Sequence, residues 1–287
     1  MQSSDSPWPA PAKLNLMLHV TGRRSDGYHE LQTVFQFLDF GDRLRFELTK
    51  DGSVSLVRSL PGVADDAHLC VRAARALQRA GGVDHGVRID LEKCLPLGGG
   101  LGGGSSDAAT TLVALNHLWQ LQLPLAELAH IGLGLGADVP VFVHGQASWA
   151  EGVGERLEPV ELPEPLYLVV CPGVAVSTAK VFARPELTRD SPPITIRAFR
   201  EGRGRNDLEP VVRALYPEVD RTLSWLATYG PARMSGSGAC GFVELADRDL
   251  GEALMAERPT GTTGFVAQGL NRSPLRDRLT QERAATP

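Results

Sequence analysis

The sequence predicts an α+β protein of two packed domains. Strands and helices follow one another without the regular β-α alternation of a parallel sheet. Residues 12–20 alternate between apolar and polar positions, as a strand does. An acidic, proline-rich segment at 161–165 separates two stretches that each carry strands and helices of their own. A chain of 287 residues is long enough for two cores, so one domain is expected over 1–162 and a second over 163–287.

In the first strand Leu14, Leu16, Leu18 and Val20 share one face, and Lys13, Asn15, Met17 and His19 share the other. A polar turn at 22–27 leads to strands at 31–40 and 44–48, broken at Gly41-Asp42. Asp65 or Asp66 is suited to cap a helix that runs to about Ala80, with Gly81 just past its end. A strand at 86–91 enters a glycine-rich loop. Ser105 or Ser106 then caps a helix over 107–119, and another helix covers 125–131. After a turn at 151–155, the second half holds a strand at 166–171 and helices near 207–215 and 217–229. A glycine turn at 235–241 leads to a strand, a helix near 250–257 and a last strand at 264–268. The charged tail from Ser273 is expected to fray.

Composition narrows the class. Hydrophobic residues are 43% and charged residues 22%, a globular rather than disordered balance. The net charge of −5 argues against a nucleic-acid surface. No stretch approaches the ~18 apolar residues of a membrane span. Residues 1–11 are short, polar and proline-rich, without the apolar run of a signal peptide. A cytoplasmic protein with no membrane, nucleic-acid or obligate protein partner is expected. Cys70, Cys94, Cys171 and Cys240 form no C-x-x-C pair and no zinc spacing with histidine, so reduced thiols are expected. His19, His68, His85, His117, His130 and His144 show no ligand spacing, and no protein metal ligand is legible.

The chemistry concentrates in Pro96-Leu97-Gly98-Gly99-Gly100-Leu101-Gly102-Gly103-Gly104-Ser105-Ser106-Asp107. Glycine carries the largest ordering entropy, so such a run makes sense where backbone must approach a ligand closely. The loop opens onto a helix, whose free N–H groups and positive end bind anions, and phosphate is the evident guest. The G-x-G-x-x-G at Gly98, Gly100 and Gly103 does not read as a dinucleotide fingerprint, because a second helix, not a parallel strand, follows the first. A Walker A loop is excluded because Ser105, not lysine, follows the last glycine.

Three segments together resemble the GHMP kinases: Pro11-Ala-Lys-Leu-Asn-Leu16, the glycine loop, and Met234-Ser-Gly-Ser-Gly-Ala239. The segments Gly27-Tyr-His-Glu-Leu-Gln32, Gly136-Ala-Asp-Val-Pro-Val-Phe142 and Asn271-Arg-Ser-Pro-Leu275 are similar to members acting on a cytidyl-linked polyol. The resemblance spans nearly the whole chain. It implies a ribosomal-protein-S5-like N-terminal domain and a ferredoxin-like C-terminal domain, with ATP and Mg²⁺ meeting an alcohol acceptor in the cleft between them.

The same resemblance implies roles. Asp138, which alone reads as a turn or cap residue, becomes the base that accepts the acceptor's hydroxyl proton. Lys13, otherwise an ordinary strand lysine, becomes the cation that favours the forming alkoxide. Asn15 shares its face and is expected to bond substrate. Tyr28 and His29 would read a cytosine by stacking and by its edge, with Phe182 across the base and Thr178 bonding substrate. Ser105 and Ser106 would add hydroxyl contacts to phosphate or Mg²⁺. Gly236, Ser237 and Gly238 would close on the substrate and phosphates. A GHMP kinase of homoserine or mevalonate type and a non-catalytic nucleotide-binding protein are the rival readings.

Overall fold

The computed structural model describes residues 6–60 and 62–285. Met1 to Asp5 of the polar N-terminal segment lie outside the described residues, as do Pro61 and the last two positions of the tail. Strand β1 (Trp8–Arg23) pairs antiparallel along β2 (His29–Thr49). The opposite edge of β2 is shared in succession by three strands. These are β5 (Ser148–Gly152) at Leu31 to Phe35, β10 (Thr262–Leu270) at Phe37 and Leu38, and β4 (Gly86–Glu92) at Arg43 to Thr49. Short β3 (Val54–Leu56) runs parallel to β4, and β6 (Arg156–Pro159) forms a hairpin with β5. Beyond β10 the sheet continues through β7 (Leu166–Pro172) and β9 (Gly241–Leu245) to β8 (Arg233–Met234).

Helices cover this sheet. The first is α1 (Leu69–Gly81), then α2 (Gly103–Leu118), α3 (Leu125–Leu133) and α4 (Val139–His144). The second half adds α5 (Thr178–Phe182), α6 (Ile196–Arg200), α7 (Glu209–Leu215), α8 (Pro217–Leu226), α9 (Arg248–Glu257) and α10 (Pro274–Ala285). Helix α2 is buried on nearly every side, because small residues such as Ala108, Ala109 and Ala114 let α1, α4 and β1 close around it. Helices α8 and α9 pack on β7 and β9 through Leu226, Leu254 and Val243.

Several expectations change. The alternation in β1 is interrupted by a register shift between Asn15 and Met17. One extra residue reverses the facing of everything after it. Met17 therefore joins Leu14 and Leu16 in one core cluster, while Leu18 and Val20 join another with Val181 and Val212. The expected break at Gly41 is absent: β2 runs through it. A Cβ there would stand 2.2 Å from the Ala10 carbonyl oxygen, so Gly41 serves the close approach of β1 rather than a turn. Asp65 and Asp66 lie in a separate 3₁₀ turn, and α1 is capped by the His68 ring, which accepts from Cys70 N–H. Gly82, in the left-handed region, closes that helix. Over Pro274–Ala285 the tail is helical, not frayed, because Leu275 and Leu279 are buried in the core beside Trp8. Finally, Cys171 and Cys240 form a disulfide and are not reduced thiols. The β7–β9 register sets Val170 opposite Gly241, so these two cysteines are the next facing pair, a proximity that their separation of 69 residues hides in the sequence.

Candidate active site

Helix α2 starts two residues earlier than Ser105, and no side chain caps it. Gly102 takes the cap position at φ 73°, and Ser105 and Ser106 lie within the first turn. Ser106 N–H already donates to Gly102 O (2.8 Å), and the N–H groups of Gly103, Gly104 and Ser105 stay free at the end of the loop, as an anion site requires. Gly98, Gly100 and Gly102 have positive φ, alternating with residues that do not.

Two glycine turns are locked together beside this helix. Ala239 N–H donates to Gly98 O (3.2 Å) and Cys240 N–H to Gly99 O (3.0 Å). The Ser235 hydroxyl donates to Gly100 O (2.9 Å) and accepts from Asn15 N–H (3.1 Å). Lys13 N–H completes the junction by donating to Leu101 O (3.0 Å). Strand β1 thereby fixes both turns against its polar face.

Lys13 is almost fully buried. Its ammonium has three hydrogens and three oxygen partners: Asn15 Oδ1, Gly100 O at 3.1 Å and Asp138 Oδ2 at 3.3 Å. It also lies over the Phe35 ring, 5.3 Å from its centre. Asp138 occupies the cap position of α4 but makes no side-chain capping bond. Its carboxylate, 34% exposed, faces Lys13 at a cavity wall. Asn15 is held by its amide, which donates to Thr33 Oγ1 (2.8 Å).

That cavity has a volume of about 720 Å³. Of the residues anticipated from the sequence, Lys13, Asn15, Tyr28, His29, Gly100, Gly102, Asp138, Thr178, Phe182, Gly236 and Ser237 line it. Pro96, Leu97, Gly98, Gly99, Leu101, Gly103, Gly104, Ser105, Ser106 and Gly238 do not. Tyr28 is 66% exposed at the rim. Phe182 stacks on the His29 imidazole, with ring centres 4.7 Å apart. The Thr178 and Ser237 hydroxyls are 2.6 Å apart and tie α5 to the second glycine turn.

Sequence reasoning missed a buried charge cluster under the head of α2. Lys93 Nζ lies 2.5 Å from Asp42 Oδ2 and 2.8 Å from Asp107 Oδ2. Asp42 Oδ1 also accepts from Cys94 N–H and Leu95 N–H. These contacts join the entry of the glycine loop to its exit. Burial pushes the Asp107 carboxyl up to about 7, with Lys93 opposing and the Asp42 charge reinforcing. The same two carboxylates outweigh burial at Lys93 and raise its pKa. Ser106 Oγ and Asp107 Oδ1 are buried with no hydrogen-bond partner. Asn206, also missed, donates through its amide to Met234 O and Gly236 O and so holds the second glycine turn. A lysine directly before the loop was the one local hint. Asp42 and Asn206 carried none.

Comparison with known proteins finds relatives over nearly the whole chain. Residues 68–146 match the family model "GHMP kinases N terminal domain", and residues 192–258 match "GHMP kinases C terminal". The chain is 55% identical over 272 residues to the 4-diphosphocytidyl-2-C-methyl-D-erythritol kinase of Nitrosococcus oceani, covering 95% of this chain and 97% of that one. It is 57% identical over 274 residues to the kinase of the same name from Halorhodospira halophila, covering 94% and 95%. A crystal structure of 4-(cytidine 5'-diphospho)-2C-methyl-D-erythritol kinase superposes with a TM-score of 0.80 at 36% identity, covering 91% of this chain and 98% of that one. A homoserine kinase structure from Cytophaga hutchinsonii, at 19% identity and TM-score 0.69 over 96% and 98%, shares the fold.

Proposed function

This chain belongs to the GHMP kinases and is an ATP-dependent small-molecule kinase, and on that premise we propose its acceptor and its chemistry. The acceptor is 4-diphosphocytidyl-2-C-methyl-D-erythritol, phosphorylated on its tertiary 2-hydroxyl in isoprenoid precursor synthesis. The observation that carries this reading is the Lys13–Asp138 pair on the wall of a cavity that Tyr28, His29 and Phe182 also line. The names of the relatives above support this choice of acceptor.

Asp138 takes the proton of the 2-hydroxyl as its oxygen bonds to the γ-phosphorus, and ADP departs with the electrons of the broken P–O bond. Lys13, fixed by its three oxygen partners, favours negative charge on the attacking oxygen without reorganising. The free N–H groups at the head of α2 and the backbone of the glycine loop receive the ATP phosphates. The enzyme forms no covalent intermediate; positioning and electrostatics carry the rate.

Mg²⁺ is part of the proposal. Among the described residues no group of three or more His, Cys, Asp or Glu gathers for a metal ion. A hard divalent cation held mainly by phosphate oxygens and water needs few protein oxygens. The partnerless buried hydroxyl of Ser106, next to Ser105, fits that need. These two serines would hold the ion, which supplies neutralisation of phosphoryl charge when bound. A boundary between the two domains at 161–165 and a cytoplasmic setting belong to the same reading; among the described residues no helix is long and apolar enough to cross a membrane.

A coupled ADP-release assay against a panel of acceptors tests the reading. The cytidyl-linked methylerythritol should react, and the same polyol carrying only a phosphate, homoserine and mevalonate should not. Equal efficiency with the unlinked polyol phosphate would remove the base slot from the account.

A further inference from the structure

Arg189 follows α5, does not line the cavity, and has no motif around it. Its guanidinium is nevertheless committed on every side. Nη1 donates to Leu187 O (3.0 Å), and Nη2 donates to Phe182 O (2.8 Å) and Arg184 O (2.7 Å). Nε donates to His29 Nε2 (3.3 Å). Three carbonyls hold the fork in place, so the fourth bond has a fixed direction.

That fourth bond has a chemical consequence. A guanidinium is always protonated and only donates. His29 Nε2 must therefore be the lone-pair nitrogen, which makes the ring neutral with its proton on Nδ1. This is the reverse of the tautomer that free histidine favours. Among the described residues Nδ1 has no hydrogen-bond partner, and His29 lines the cavity. Its ring is meanwhile stacked on Phe182, whose carbonyl the same arginine holds.

We infer that Arg189 is a positioning residue for acceptor specificity, which fixes His29 as the Nδ1–H tautomer and so makes this wall of the cavity a hydrogen-bond donor. A donor wall selects a ring presenting an acceptor, such as the unprotonated N3 or the carbonyl of cytosine. It disfavours a ring presenting N–H at the same place, as uracil does at N3. The inference rests on the cytidyl acceptor proposed above and adds how the protein sets the sense of that contact.

The test pairs ring-¹⁵N histidine spectra with kinetics on the full-length enzyme, using His29→Gln to assign the His29 signals. The parent should show a protonated Nδ1 and a lone-pair Nε2 at His29. Arg189→Met should shift the proton towards Nε2. It should also raise the acceptor KM about five- to 150-fold, the range for one hydrogen-bonding group left unmatched, with ATP KM and kcat near the parent's. The preference for a cytidyl over a uridyl acceptor should shrink. Arg189→Lys keeps the charge and a donor, and should fall between the two. A parent His29 protonated on Nε2 overturns the inference. So does Arg189→Met with a raised KM and an unchanged tautomer, which would reduce Arg189 to a loop staple. If Arg189→Met does not fold, the parent spectrum and Arg189→Lys carry the same decision. A parent that turns over no cytidyl-linked acceptor overturns the substrate reading instead, since the spectrum reads the tautomer without any acceptor.

Discussion

Lys13 Nζ lies 3.3 Å from Asp138 Oδ2, and the remaining hydrogens of that ammonium go to Asn15 Oδ1 and Gly100 O. One buried cation thus fixes the relative placement of β1, the glycine loop and the start of α4. A carboxylate aligned on a cation that cannot move away is what in-line transfer to an alcohol asks of a protein.

Replacing Asp138 with Asn keeps the side-chain shape and removes the proposed proton acceptor. Turnover is expected to fall by ~10²–10⁴, with calorimetric affinities for acceptor and for a non-hydrolysable ATP analogue within a few-fold of the parent. A kcat within a few-fold of the parent would take Asp138 out of the base role.

Gly100 and Gly104 should respond differently to alanine. At Gly100 φ is +76°, and a Cβ would stand 2.1 Å from Ser235 O and 3.0 Å from Gly238 O, so the two glycine turns would be forced apart. Gly100→Ala should lower the melting temperature and abolish activity together. At Gly104 a Cβ meets only the flexible Leu69 side chain at 3.2 Å, and alanine favours a helix by up to ~1 kcal/mol. Gly104→Ala should keep the parent's melting temperature, so any loss of ATP affinity in it reports contact with the nucleotide. Equal destabilisation by the two changes would contradict the packing described.

His29 carries a pH signature. Burial lowers its pKa below 6.5, and the charges of Arg189 and of Arg23 across the β1–β2 ladder lower it further. The ring therefore stays neutral as pH falls through 6.5 and gains a proton only below that. The acceptor KM should be level across pH 6.5 and change at more acid pH. A titration of acceptor KM centred at or above 6.5 would show that His29 is not held neutral.

Much of this site was legible because its motifs are local. The glycine run announces itself by residue type, whereas Lys13 and Asp138, which alone read as a strand lysine and a turn residue, are singled out by the family resemblance of their segments. What escaped is non-local. The register shift after Asn15 moves Leu18 into the cavity wall, yet the residues on either side keep alternating as in a regular strand. Gly41 looks like a breaker, and its reason for being glycine lies across the ladder at Ala10. The short α4 and the tail helix are too brief or too charged to stand out by periodicity. Arg189 acts through three carbonyls and a distant imidazole, and nothing in its neighbourhood betrays that.

The cluster of Asp42, Lys93 and Asp107 predicts a pH-dependent stability that one substitution should erase. Two carboxylates share one ammonium in a buried site, so the second negative charge is poorly compensated, and burial leaves the Asp107 carboxyl titrating at about 7. In the unfolded chain an aspartate titrates near 3.9. Between these values the folded protein holds a proton that the unfolded chain has released. Stability from this group is therefore greatest below about pH 4, declines as pH rises to about 7, and is level beyond. Asp107→Asn mimics the protonated form at every pH and leaves Lys93 paired with Asp42. The parent should thus match Asp107→Asn only below about pH 4 and trail it by about 2 kcal/mol at pH 5.5. By pH 8 the gap should widen by about 2 kcal/mol more, taking ~1.4 kcal/mol per pH unit over the interval from 5.5 up to 7. Urea denaturation of both proteins at the two pH values measures this double difference, which cancels every other titrating group. A gap that does not widen between pH 5.5 and 8 would mean that Lys93 and the α2 N-terminus keep Asp107 ionised throughout, and that the cluster is a fully charged staple of the glycine loop.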